Sequence, residues 1–210
     1  MKELIKLAER IKDEKLKKKV IDFLKDFRLS SKDFKKYTPE KIKEAGSLFV
    51  IPSSGFGPVE RKILEHTITL VELCEDVVKR FKKNYGLELN RDHLIAAAIL
   101  HDLMKAFEYK RGETGELEPT GVMLDHTMLA VAELYTRDFP EEVIHIVASH
   151  YGETGPTPPR TFEALVFHYL DTLTSIIEYY HQVKKKFDKK ILFLTEEELK
   201  KIGGHAEESQ

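Results

Sequence analysis

The chain has 210 residues, 41% of them hydrophobic and 33% charged, with a formal net charge of −2. It is long enough for one domain with a substantial core, and its composition is globular rather than disordered. No apolar run approaches the roughly 18–20 residues of a membrane span, and the single cysteine, Cys74, excludes an intramolecular disulfide or a thiolate metal cluster.

The start, Met1 to Lys6, is interrupted by charge and lacks the apolar stretch of a signal peptide, so a cytoplasmic protein is expected. Residues 1–46 carry 15 Lys/Arg against 9 Asp/Glu, while the remainder is acidic. They read as a basic helical extension, able to approach a phosphate-rich ligand, although solvated helix faces explain the charge as well. Two Asn and two Gln beside abundant Lys and Glu match the balance of a heat-adapted, thermophile protein.

In chain order, Leu4, Ile5, Leu7 and Ile11, then Leu16, Val20, Phe23, Leu24 and Phe27, recur at helical steps. They predict two short amphipathic helices ending near Leu29-Ser30-Ser31. Residues 47–59, with two Pro and two Gly, read as a loop. The catalytic core is expected over 60–188, opening with a helix from Glu60 to about Lys83 in which Cys74 packs as a core residue. Asn90 is placed to cap a helix running through Leu94 to about Lys105. Residues 110–116 form a turn-rich break compatible with a short hairpin, and Thr120 to Tyr135 reads as helix. Pro140 suits the first turn of the next helix, which ends at Gly152. A Pro-rich loop then leads into a final helix from about Thr161 to Phe187, with 189–210 as a C-terminal segment whose end, 203–210, reads as a frayed tail. The expected class is all-α.

Histidine placement carries the chemistry. His101 and Asp102 close an otherwise apolar helix, where a charged carboxylate is costly unless paired or metal-bound. His66 shares a stripe with Leu70, Leu73 and Val77; His126 lines up with Val122, Leu129 and Ala130; His150 joins Val143, Ile146 and Val147; Asp171 joins Ala164, Phe167 and His168. A lone inward histidine is usually a hydrogen-bonded core residue, but five helices repeating the same conflict suggest a metal site built between helices.

The ordered set His66, His101-Asp102 and Asp171 resembles the HD superfamily of metal-dependent phosphohydrolases, which implies a helical HD bundle. Leu64-Glu65-His66-Thr67, Ala98-Ile99-Leu100-His101-Asp102, Ser149-His150-Tyr151-Gly152-Glu153 and His168-Tyr169-Leu170-Asp171 look like the HD part of YhaM-type 3′-to-5′ exoribonucleases. That similarity runs from about Lys12 to Ser175. The OB-fold usual in that branch has no counterpart here, and Tyr151 stands where Ser-His-His-Gly is common.

The resemblance implies that His66, His101, Asp102 and Asp171 hold one metal, and that Asp102 bridges to a second held by His126 and His150. One or two divalent transition ions (Mn, Fe, Co, Ni or Zn) suit such an imidazole-rich set, and they would activate water for attack on phosphorus. Lys105 resembles the Lys that follows the HD pair in many members and is expected to contact a substrate phosphate. Arg160 is a further phosphate candidate, and Tyr151 and His168 are expected to line the pocket. Expected partners are a phosphorylated small molecule or a nucleic-acid end. A non-catalytic nucleotide- or metal-binding regulatory domain and a di-iron oxygenase are the alternatives.

Overall fold

The computed structural model describes residues 1–187; the expected C-terminal segment, 189–210, lies outside them. Helices α1 (Lys2–Ala8) and α2 (Glu14–Lys25) precede the strands β1 (Gly46–Phe49) and β2 (Val59–Lys62). Helices α3 (Ile63–Tyr85), α4 (Arg91–Leu100) and α5 (Lys105–Glu108) follow, then the strands β3 (Tyr109–Arg111) and β4 (Leu117–Pro119). Helices α6 (His126–Thr136), α7 (Glu141–Ala148) and α8 (Phe162–Phe187) complete the described fold. The architecture is mostly helical, and the strands form two small antiparallel hairpins.

The centre of the molecule is α4. Its segment Leu94-Ile-Ala-Ala-Ala-Ile-Leu100 is apolar all round, and every residue of it is buried. A helix without a polar face is stable only when surrounded, and α1, α2, α3, α7 and α8 all pack against it. Its large aliphatic side chains contribute about 1.5–3 kcal/mol each by leaving water. The Asn90 side chain accepts from the His93 N–H and fixes the helix start. With that start set, the C-terminal end, and with it His101 and Asp102, arrives in the interior.

The basic N-terminal segment packs into the same core, since Leu4, Leu7, Ile11, Val20, Phe23 and Leu24 are buried with the α3 and α4 side chains. Its charge belongs to the outer faces of α1 and α2. No helix among the described residues is long and apolar enough to cross a membrane.

Five local expectations need correction. Helix α4 ends at Leu100 rather than near Lys105, so His101 caps it and Asp102 lies in the turn beyond. Residues 47–59 are not simply loop: β1 and β2 pair in the register Ser47↔Arg61 and Phe49↔Val59. The period-2 alternation turns Val59 and Arg61 inward, so α3 begins at Ile63 rather than at Glu60. The helix expected over 120–135 begins only at His126, capped by the Asp125 side chain on the Met128 N–H, which leaves Val122 outside it. Helix α7 ends at Ala148, so His150 sits in the turn beyond it and not on a helical stripe.

Candidate metal centre

The fold gathers the six proposed ligands around Asp102. His66 comes from the second turn of α3, His101 from the C-cap of α4, and Asp102 from the turn that follows. His126 opens α6, His150 follows α7, and Asp171 lies in mid-α8. His66, His101, Asp102, His126 and His150 are all buried. His66 Nε2 lies 4.0 Å from Asp102 Oδ2, and His101 Nε2 lies 3.6 Å from the same atom. On the other side, His126 Nε2 lies 3.5 Å from Asp102 Oδ1. Asp171 Oδ1 stands 3.0 Å from His66 Nε2 and 3.8 Å from His101 Nε2. Two groups of potential ligand atoms therefore share one carboxylate: His66, His101 and Asp102, and Asp102, His126 and His150.

His66, His101 and His126 all face Asp102 with Nε2. His101 Nδ1 donates to Ala98 O at 3.1 Å and His150 Nδ1 to Val147 O at 2.7 Å, each three residues back along the chain. A carbonyl can only accept, so these rings carry their proton on Nδ1 and keep a lone pair on Nε2. His66 Nδ1 meets Glu178, 3.1 Å away, and His126 Nδ1 meets Glu108 at 3.2 Å, the carboxylate–histidine arrangement that orients metal ligands. Asp102 Oδ1 stands 2.8 Å from the Lys105 ammonium, while His66 Nε2 and His101 Nε2 are buried without a hydrogen-bond partner, His66 Nε2 lying 3.0 Å from Asp171 Oδ1. Each such orphan costs about 1–3 kcal/mol unless something satisfies it. A divalent cation accepts lone pairs of this kind, so the residues fit the metal that the family resemblance implies.

The electrostatics agree. Burial pushes His101 down to about 3, despite the opposing charges of Asp102 and Asp171, and burial likewise lowers His150. Both rings stay neutral, as metal ligands must. Burial also pushes His66 down, but the Asp171 and Glu178 carboxylates outweigh it and raise its pKa. Burial opposes ionisation of Asp102; the surrounding His101, Lys105 and Arg61 prevail and hold it well below the usual carboxylate range.

The other proposed site residues separate. Lys105 is close in: its Nζ stands 2.8 Å from Asp102. Tyr151 is half-exposed at the rim, with its hydroxyl 3.2 Å from His126 Nε2 and its ring 4.2 Å from that of His150. His168 lies behind the site, donating from Nδ1 to His150 O at 2.7 Å. Arg160 is exposed; its backbone N–H donates to His145 Nε2, and it makes no hydrogen bond or ion pair with the six ligand candidates among the described residues.

Sequence reasoning missed three residues. Arg61 donates to Asp102 Oδ2 at 2.5 Å and to Ser175 Oγ at 2.6 Å, from a strand that reads as loop and helix start. Glu178 stands two helical turns beyond Asp171, and that spacing was the available signal. Glu108 offers no such signal, because it reaches His126 only through the fold.

Residues 63–176 match the HD domain family model. The chain is 45% identical over 181 residues to the dihydroneopterin 2′,3′-cyclic phosphate phosphodiesterase of Methanocaldococcus jannaschii, covering 84% of this chain and 70% of that protein. It is 32% identical over 119 residues to the 3′-5′ exoribonuclease YhaM of a Geobacillus species, covering 51% of this chain and 35% of the relative. The Bacillus subtilis YhaM is 30% identical over the same length, with 36% of it covered. The chain thus spans only about a third of these two exoribonucleases. No solved structure matches the chain. Ordered ligand set, helical frame and matched family together show that this chain belongs to the HD-domain family of phosphohydrolases.

Proposed function

We propose that the protein hydrolyses a cyclic phosphodiester carried by a nucleotide-like molecule, opening a 2′,3′-cyclic phosphate to a phosphomonoester. The observation that carries this reading is the 45% identity, across most of both chains, to a phosphodiesterase of such a substrate. The exoribonucleases align over about half of this chain, so cleavage at an RNA end is the second reading.

In this reading His66, His101, Asp102 and Asp171 hold one ion, and Asp102, His126 and His150 hold another, of the Mn, Fe, Co, Ni or Zn class. Bound ions supply an acidified water and neutralise the phosphoryl oxygens. The chain itself does the positioning. Glu178, Glu108 and the carbonyls of Ala98 and Val147 keep every Nε2 lone pair directed inward. Lys105 and Arg61 share the charge of Asp102 and are placed to turn a donor to a phosphoryl oxygen. Burial raises the Tyr151 hydroxyl pKa, so it stays protonated and donates towards the oxygen that leaves phosphorus. His168 supports the His150 turn, and exposed Arg160 is left to contact outlying phosphate. The single free cysteine, buried, suits a reducing cytoplasm.

The test is turnover of nucleoside 2′,3′-cyclic phosphates and short RNAs by the purified chain with Mn, against its Asp102→Asn variant. Cyclic phosphate opening that EDTA abolishes, and that the variant lowers at least 10³-fold, is expected. Equal turnover by variant and parent, or no phosphodiester hydrolysed, contradicts the proposal.

A further inference from the structure

A cavity of about 300 Å³ lies between the β1–β2 hairpin and the C-terminal half of α8. Two of its lining residues also touch the candidate metal centre. Arg61 reaches Asp102 from it, and Glu178 reaches His66. The two side chains stand between the cavity and the ligand cluster.

Its walls are unlike the centre. Phe49 from β1 and Tyr179 from α8 meet edge to face, with ring centroids 5.8 Å apart. The Arg61 guanidinium lies 5.4 Å from the centre of the Phe49 ring. Val59 completes an apolar floor, and Gln182 offers an amide that can both donate and accept. Arg61 Nε is buried with no hydrogen-bond partner, although the two terminal nitrogens of that side chain are engaged. Glu60, Lys62, Glu65, Glu178, His181 and Lys185 surround this floor with charged and polar groups, and aromatic walls beside an amide recognise a flat, polar-edged ring better than an alkyl chain. Its volume stands at the lower end of the range for small-molecule sites.

We infer that this cavity seats the planar heterocycle of the substrate, a bicyclic ring of purine or pterin size, with Arg61 as the side chain that links the cavity to the centre. The inference rests on the cyclic phosphodiesterase reading, because it places the organic half of that substrate. The separation is short: one side chain, Arg61, lines the cavity and pairs with Asp102.

The test uses the full chain and neopterin, a fluorescent pterin without phosphate, in an equilibrium titration. Saturable binding is expected, weakened at least tenfold by Gln182→Trp, which fills the cavity, and by Phe49→Ala, which removes a wall. Circular dichroism and bound metal, measured on both variants, show whether they fold as the parent does. No saturable binding by the parent, or undiminished binding by two folded variants, overturns the inference. Hydrolysis by the parent is scored separately. Turnover of the cyclic phosphate without cavity-dependent neopterin binding removes this inference and leaves the proposed reaction standing. Cavity-dependent binding without turnover does the reverse.

Discussion

Arg61 holds Asp102 with one terminal nitrogen and Ser175 with the other, at a site where Lys105 already supplies a cation. Two positive groups on one carboxylate exceed what neutralising it requires, and a phosphoryl group is the anion that uses the surplus. Arg61→Gln is therefore expected to lower kcat/KM for a cyclic phosphate by about 10²–10³-fold, with Arg61→Lys recovering part of the loss. Steady-state kinetics alongside metal content check this. Unchanged kinetics would leave Arg61 as packing alone. The residue was hard to read from sequence because its meaning depends on strand alternation, and Val59-Glu60-Arg61-Lys62 is too short a run to show a period. His66, His101, Asp102, His126, His150 and Asp171 stood out because each is a polar group set among apolar neighbours. That conflict is local and visible without a structure.

At the scale of elements, the turn after α7 shows how backbone shape serves the site. Gly152 has φ +64°, and a Cβ there would lie 2.4 Å from His168 Nε2. His168 cannot easily move away, since its other nitrogen holds the His150 carbonyl. Gly152→Ala is expected to destabilise the fold by about 2–4 kcal/mol, through left-handed strain and overpacking. Urea denaturation measures it, and a Gly152→Ala, His168→Ala double variant should lose less than the sum of the single losses. Full additivity would mean that the clash relaxes elsewhere. Element order and type were legible in the long periodic segments α3, α4 and α8. The hairpin at 46–62 and the true starts of α3 and α6 were not, because strand pairing and the Asp125 cap depend on partners that periodicity does not display.

For the whole molecule, the buried imidazoles couple folding to protons. His101 falls from an ordinary 6.5 to about 3 and His150 is also lowered, both chiefly by burial. The unfolded chain takes up protons that the folded chain refuses, so their contribution is complete above pH 6.5 and is lost as pH falls from there towards 3. His66 has the opposite sign: its pKa is raised, and its contribution is lost as pH rises through the folded value. His101 alone is worth on the order of 5 kcal/mol across its range. The urea midpoint of EDTA-treated protein should fall between pH 7 and pH 4, and His101→Leu should flatten much of that slope. A midpoint independent of pH in the parent would show that the rings protonate freely in the folded state.

The same convergence from α3, α4, α6, α8 and the turn after α7 makes metal binding the property on which the rest depends. Elemental analysis of the purified full chain tests it most directly. Close to two equivalents of a divalent transition metal per chain are expected, with a large loss in Asp102→Asn, whose carboxylate serves both ligand groups. A chain that holds no such metal even after incubation with excess Mn, Fe, Co, Ni and Zn would contradict the account.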